Sequence, residues 1–267
     1  MATGRTLPRY GRLYLNTSAM SEWTTSIGPF THEFEAVLFD APMADNVKGY
    51  MLGRCINMSP GKINGILNAQ DSTSPLGAAI PAASIAIMTY AIGIRAAPAA
   101  GDPVFCTASP MLNYLATESG GAVTFTGDFA DGWRQTAVGK YGTPWGSLVH
   151  AYGAETAVNT AVGFDDPMAG GATTNFGGYM VYHGLAGNGT ATIKVQHSTT
   201  TNLNGSFGDL GGCTSGELDF SANRRVGIVE TTTATTAVGR YLRWQVAFNT
   251  ATTVSFILSF VRGLRAY

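Results

Sequence analysis

The sequence predicts an all-β protein: two tandem, similar β-sandwich or barrel domains with at most short helices. Three observations predict it. Apolar and polar residues alternate with a period of two in many short runs. Glycine is abundant, 34 of 267 residues, and with proline it punctuates those runs as turns. A set of short motifs also recurs in the same order in the two halves, the signature of internal duplication.

The recurring motifs set the domain organisation. Phe39 opens FDAPMA and Phe164 opens FDDPMA; GYM follows at Gly49–Met51 and again at Gly178–Met180. Each GYM begins an extended run that reaches a glycine turn, SPG at Ser59–Gly61 or GNG at Gly187–Gly189, and a second run ends in QDST at Gln70–Thr73 or QHST at Gln196–Thr199. NYL at Asn113–Leu115 then matches RYL at Arg240–Leu242, and AVTFTGDF at Ala122–Phe129 matches TVSFILSF at Thr253–Phe260. The order and the nearly constant spacing imply a first copy over residues 1–140 and a second over 145–267. The boundary lies near GKYGTPWG, Gly139–Gly146.

Within the first copy, a short helix is expected around Ala41–Leu52, with Pro42 in its first turn and Asp45 near its N-terminal dipole. Its counterpart, Gly170–Gly178, is rich in Gly and Thr and reads as loop. The most apolar run, IPAASIAIMTYAIGI at Ile80–Ile94, suits a buried strand. It falls short of the roughly 20 residues a membrane helix needs. In the second copy, GNG is expected to turn a hairpin that places His183 near Lys194, leaving His183 and His197 roughly 10 Å apart along the strand, too far to share a metal.

The last long stretch, Val238–Gly263, reads as an antiparallel strand pair around Asn249-Thr250-Ala251. Leu242, Trp244, Val246 and Phe248 share one face, and Val254, Phe256, Leu258 and Phe260 form a matching apolar row. The opposite row, Ser255, Ile257, Ser259 and Val261, is mixed. It predicts partial burial, as against a neighbouring subunit.

Composition excludes several classes. Charged residues are only 12 % and the formal net charge is −1, low for the surface of a soluble monomer and suited to a chain that hides surface in an assembly. A phosphate-gripping protein needs clustered Lys and Arg, and the longest basic run is Arg224-Arg225. The three cysteines, Cys55, Cys106 and Cys213, are widely spaced and form no C-x-x-C pair; inert thiols in a reducing cytosol are expected. MATGRTLPRYGRLYL has no apolar signal core, so neither export nor a membrane span is expected.

Catalytic signatures are missing too. There is no GxxxxGK[ST], GxSxG or HExxH, and GNGTAT lacks the third glycine of a dinucleotide fingerprint. His32, His150, His183 and His197 are scattered. Glu33, Glu35, Asp40 and Asp45 cluster, echoed by Asp165 and Asp166, and are expected on a solvated or interface face rather than in acid–base work. Asn-x-Ser/Thr at Asn16, Asn57, Asn188 and Asn204 is read as chance. The expectation is a non-enzyme with no catalytic, cofactor-binding or metal site.

Several stretches together, GRLYLNTSAMSEWTTSIGPF, DNVKGYMLGRCINMSPGKINGIL, PWGSLVHA, GTATIKVQHSTT and RYLRWQVAFNTATTVSFILSFVR, give the chain a family resemblance over nearly its whole length. It resembles the major tail tube proteins of long-tailed, siphovirus-type bacteriophages. The resemblance implies a structural virion protein whose β-sandwich subunits form stacked rings around a lumen for genomic DNA. Two tube-like domains per chain imply trimeric rings with pseudo-six-fold symmetry; a decoration domain in the second half would imply hexamers. The implied partners are further copies, other phage tail proteins, and double-stranded DNA in passage without tight binding. The implied location is the virion tail, after assembly in the host bacterial cytoplasm.

For assembly contacts, the acidic segment with Glu33, Glu35, Asp40 and Asp45 is expected to reach a neighbour as an extended loop, opposite Arg224, Arg225 or Arg243. Two other roles suit a low-charge β protein: a head decoration or cement protein, and a carbohydrate-binding module using Trp133, Trp145 or Trp244. Trp244 lies in a row of core residues, which favours packing.

Overall fold

The computed structural model describes residues 10–21, 24–30, 33–40, 48–57, 59–67, 85–94, 96–119, 122–129, 140–142, 144–159, 162–169, 173–174, 177–221 and 225–266. It is an all-β protein, as the alternating patterns predict. The strands in chain order begin with β1 (Gly11–Leu15), β2 (Ser18–Ala19), β3 (Thr24–Gly28), β4 (Glu33–Asp40), β5 (Lys48–Asn57), β6 (Lys62–Leu67) and β7 (Ile85–Ile92). They continue with β8 (Pro103–Ser119), β9 (Ala122–Phe129), β10 (Lys140–Gly142), β11 (Trp145–Glu155), β12 (Phe164–Asp165), β13 (Thr173–Thr174), β14 (Gly178–Gly187) and β15 (Thr190–Ser198). The last are β16 (Gly208–Thr214), β17 (Leu218–Asp219), β18 (Arg225–Glu230), β19 (Val238–Gly239), β20 (Tyr241–Phe248), β21 (Val254–Arg262) and β22 (Leu264–Ala266).

The largest sheet runs in the order β18-β14-β21-β11-β8-β7-β1-β2. It passes through both sides of Gly139–Gly146, because Trp145 of β11 lies opposite Phe105 of β8 and Ser147 opposite Pro103. The distal half of β8 leaves this path to pair β9, which pairs β6, which pairs β3. A second sheet has the order β12-β20-β15-β16, with β17 also on β15.

Three apolar clusters separate these walls. Ala191, Ile193 and Val195 of β15 and Leu242 and Val246 of β20 pack against Met180 and Tyr182 of β14 and Val254, Phe256, Leu258 and Phe260 of β21. On the other side of β14 and β21, Tyr179, Val181, Ile257 and Val261 meet Tyr14, Ala91, Val104, Cys106 and Leu148. All nine belong to one sheet, so that sheet rolls until its face closes on itself. Beyond the far wall, Leu13, Leu15, Ala86 and Met88 meet Ile63, Phe125 and Phe129 of the β9-β6-β3 extension.

The expected hairpin at Val238–Gly263 is not formed. β20 and β21 each carry their predicted apolar row into the same core, but they stand in opposite sheets, and Asn249–Thr253 crosses between them. GNG likewise crosses from β14 to β15, so His183 does not pair near Lys194; its ladder partners are Val226 and Ile257. The reason is the second face. β20 presents Arg243 and Gln245 on its other face, whereas β21 presents Ile257 and Val261, and a strand apolar on both faces belongs in the middle layer.

The two crossings support each other. Asn249, Thr250 and Ala251 donate their N–H groups to the Thr190 carbonyl at 3.0, 3.1 and 3.0 Å, and Asn188 N donates to Thr253 O at 3.1 Å. Gly189 has φ +59, and a Cβ there would stand 2.7 Å from Ala251 N. The mixed row of β21 is therefore covered within the chain: Ile257 and Ser259 are 1 % and 0 % exposed. This corrects the expected burial against a neighbour.

Two further expectations meet the structure. Ile85–Ile92 is the expected buried strand, β7. The expected helix at Ala41–Leu52 is not seen where it is described, since Lys48–Leu52 begins β5, and residues 41–47 lie outside the described set. The echoed stretches take different pairings. AVTFTGDF forms β9 and pairs directly with β8, while its match in β21 pairs β14 and β11.

Candidate assembly surfaces

The alternating distal half of β8 has only one described neighbour, β9, from Met111 opposite Phe129 to Ser119 opposite Ala122. Asn113, Leu115, Ala116, Thr117 and Glu118 are all exposed, Leu115 at 62 %. Consecutive strand residues face opposite sides, so both faces are exposed here, and no second described strand pairs with the outer edge. An open edge offers unpaired backbone donors and acceptors to an incoming strand.

A second open element is the β4–β5 ribbon, which pairs with no other described strand. Its register sets Ala36 opposite Leu52, Val37 opposite Met51 and Leu38 opposite Tyr50. A two-stranded ribbon is marginal alone in water.

The seven residues proposed for assembly separate as follows. Glu33 lies opposite Asn57 and Asp40 opposite Lys48, while Glu35 falls at a register irregularity between Phe34 and Ala36. Asp45 and Arg224 lie outside the described residues. Arg225 starts β18, an edge strand of the rolled sheet, opposite Gly184. Arg243 is 6 % exposed. Its Nε donates to Gln196 Oε1 at 2.8 Å, NH1 donates to Asn204 Oδ1, and the guanidinium lies 4.5 Å over the Phe207 ring. Among the described strands, β4 pairs only with β5, β18 with β14, and β20 with β12 and β15.

Of the two aspartates in FDDP, one departs from expectation. Asp165 is exposed and bonded by Arg240, whose guanidinium holds its carboxyl below the usual range. Asp166 is 2 % exposed, not solvated. Its carboxylate accepts from Arg262 Nε and, at 2.5 Å, from the Ser147 hydroxyl. Arg262 also donates to Val238 O at 3.1 Å and Gly239 O at 2.6 Å. This buried tie fastens β11, β19 and β21 to the turn after β12. The sequence hinted at it only through Asp before Pro, which is a common turn signal.

The described histidines are packed into the fold. His183, 0 % exposed, bonds Asn16 O through Nδ1 at 2.5 Å and Thr89 Oγ1 through Nε2 at 2.9 Å. Burial pushes it down to about 4. His150 stacks on Phe256 and bonds Glu155; burial lowers it, against the raising effect of that carboxylate. His197 accepts from Gly239 N and is lowered by burial and then by Arg262. Cys106 and Cys213 are buried, and burial pushes both thiols up to about 12. Among the described residues no three His, Cys, Asp or Glu side chains are grouped to hold a metal.

The tryptophans proposed for sugar binding serve packing where they are described. Trp145 meets Phe105 at 5.1 Å between ring centroids, and Trp244 meets His150 at 4.7 Å. Trp133 lies outside the described residues. An open cleft of about 710 Å³ between β1, β3 and β7 is lined by Arg12, Ser21, Thr24, Ile27 and Tyr90, among others. Among the described residues that lining has no paired acid and base.

No protein-family model matches the sequence, and no curated protein matches it. Among solved structures, the chain is similar to Dit of phage SPP1, described as a paradigm of the hub adsorption apparatus in phages that infect Gram-positive bacteria. The TM-score is 0.31 at 12 % identity, over 94 % of this chain and 98 % of that one.

Proposed function

We propose that the chain is a structural subunit of a bacteriophage tail and, within it, the repeating subunit of the tube, stacked as rings around a lumen that conducts genomic DNA. The carrying observation is that, among the described strands, the distal half of β8 has one neighbour, with Leu115 exposed, and the β4–β5 ribbon joins no larger sheet. A strand added to β8 by the next copy would satisfy its backbone groups, and a copy along the axis would cover the ribbon. Head-to-tail contacts of this kind repeat without closing. The sequence resemblance to tail tube proteins supports the same reading.

Charge supports it too. A conduit must let phosphates pass, and 12 % charged residues with a net charge of −1 supply no basic track. Across subunits, Glu33, Glu35, Asp40 and Asp45 would face Arg224 and Arg225. Arg243 joins that contact only by releasing Gln196 and Asn204. Exposed ion pairs contribute about 0–1 kcal/mol each, so strand pairing and apolar burial carry the assembly. The rings are trimers with pseudo-six-fold symmetry if the two halves are tube-like copies, and hexamers if the second half decorates the ring. The role is structural rather than catalytic and uses no cofactor. Other tail proteins are the partners at the tube ends, assembly takes place in the bacterial cytoplasm, and no membrane is engaged.

The test is electron microscopy of the chain assembled with its initiating tail proteins. Stacked rings support the proposal. A folded monomer that no initiator polymerises, even at high concentration, overturns it.

A further inference from the structure

The sequence contains three Asn-Gly dipeptides, Asn64-Gly65, Asn188-Gly189 and Asn204-Gly205. Asn-Gly is the dipeptide most open to self-modification, because glycine puts no side chain in the way of its own nitrogen. The structure treats the three differently. Asn64 lies in β6, paired on both sides by β3 and β9, with its amide bonded to Ser26 and Thr126. Asn188 is clamped in the crossing: Oδ1 accepts from Thr252 N and Thr253 N, and Nδ2 donates to Thr252 Oγ1. Asn204 opens an exposed 3-10 turn, and a Cβ added at Gly205 would meet nothing within 4 Å.

The Asn204 amide oxygen accepts from the Arg243 guanidinium. Arginine can only donate, so this contact fixes the amide's orientation. A cationic donor on the oxygen draws electrons from Cγ, as an oxyanion-stabilising donor does. It also stabilises the negative charge that builds on that oxygen under attack.

We propose that Asn204 is a site of spontaneous deamidation, with Arg243 as the positioning residue that activates its amide and then receives the carboxylate product. The Gly205 backbone nitrogen bonds to Asn204 Cγ, the Cγ–Nδ2 bond breaks, and the glycine N–H proton leaves with ammonia. Water then opens the five-membered succinimide at either carbonyl, giving aspartate or isoaspartate. No oxidant or reductant is needed, the chain stays intact, and each subunit gains one negative charge opposite Arg243. The inference is independent of the tail reading.

Peptide mass mapping of the purified full chain, aged at mildly alkaline pH, tests it. Conversion is expected at Asn204 ahead of Asn188 and Asn64. Gly205→Ala, which fits the open space there, slows it sharply. Arg243→Gln slows conversion at Asn204; circular dichroism checks that this variant is folded. Asn204 surviving while Asn188 or Asn64 converts overturns the proposal. So does conversion in folded Arg243→Gln at the unaltered rate, because it removes the arginine's role.

Discussion

His183 on β14 meets the carbonyl oxygen of Asn16, in the turn between β1 and β2, at 2.5 Å through Nδ1. A carbonyl only accepts, so Nδ1 carries the proton and Nε2 accepts from the Thr89 hydroxyl. This neutral imidazole joins the two walls of the rolled sheet across its interior. Burial disfavours the cation and holds the folded residue at about 4, below its ordinary 6.5. The unfolded chain therefore binds the proton first as pH falls. The contribution is complete above pH 6.5 and is lost as pH falls through 4. At about 1.4 kcal/mol per unit, the loss amounts to roughly 3 kcal/mol. His150 and His197, also lowered by burial, act with the same sign. Urea midpoints should be flat from neutral to mildly alkaline pH and fall toward pH 4, less steeply in His183→Gln. Equal slopes would contradict the tie.

Asp166 and Arg262 predict a contrast with Asp165. Asp166→Ala leaves the Arg262 guanidinium buried without its carboxylate and should cost about 3–5 kcal/mol in urea unfolding. Asp165→Ala, on an exposed pair, should leave the midpoint unchanged. Similar losses in both would contradict the buried tie.

Adjacent residues of β21 face different cores. Phe256→Ala and Ile257→Ala should each destabilise, by about 3–5 and 2–5 kcal/mol respectively. If β21 were one-sided, as in a surface hairpin, only the first would. Asn188→Ala, which strips two backbone donors of the crossing, should cost about 1 kcal/mol and speed hydrogen exchange at Thr252 and Thr253.

Much of this was legible in the sequence. Alternation found β20 and β21 and the core rows of Leu242 and Phe256, and the apolar run at Ile80–Ile94 found β7. Pairing was not legible, because a short polar link between two strands fits a hairpin and a sheet-to-sheet crossing equally. The clue was Ile257 and Val261 on the second face of β21, which could be assigned to a neighbour as easily as to a second internal core. Asp166 and His183 were illegible because their partners come from distant parts of the chain: Arg262 for one, Asn16 and Thr89 for the other.

Assembly should be separable from folding. Leu115→Lys puts a charge on the distal half of β8, where the wild-type side chain is 62 % exposed. It should block polymerisation while leaving thermal unfolding of the monomer unchanged. Charge reversal at Asp40 and Asp45 should impair ring stacking in the same way. Normal assembly from both variants would remove these surfaces from the account.

The central claim, a self-assembling tail subunit, is tested most directly by cryo-electron microscopy of native particles with this chain located in the map. The account predicts rings of the chain repeating along the tail around an open lumen, with β8 edges paired between copies. A single ring confined to the tail tip, or copies on the head, would contradict it.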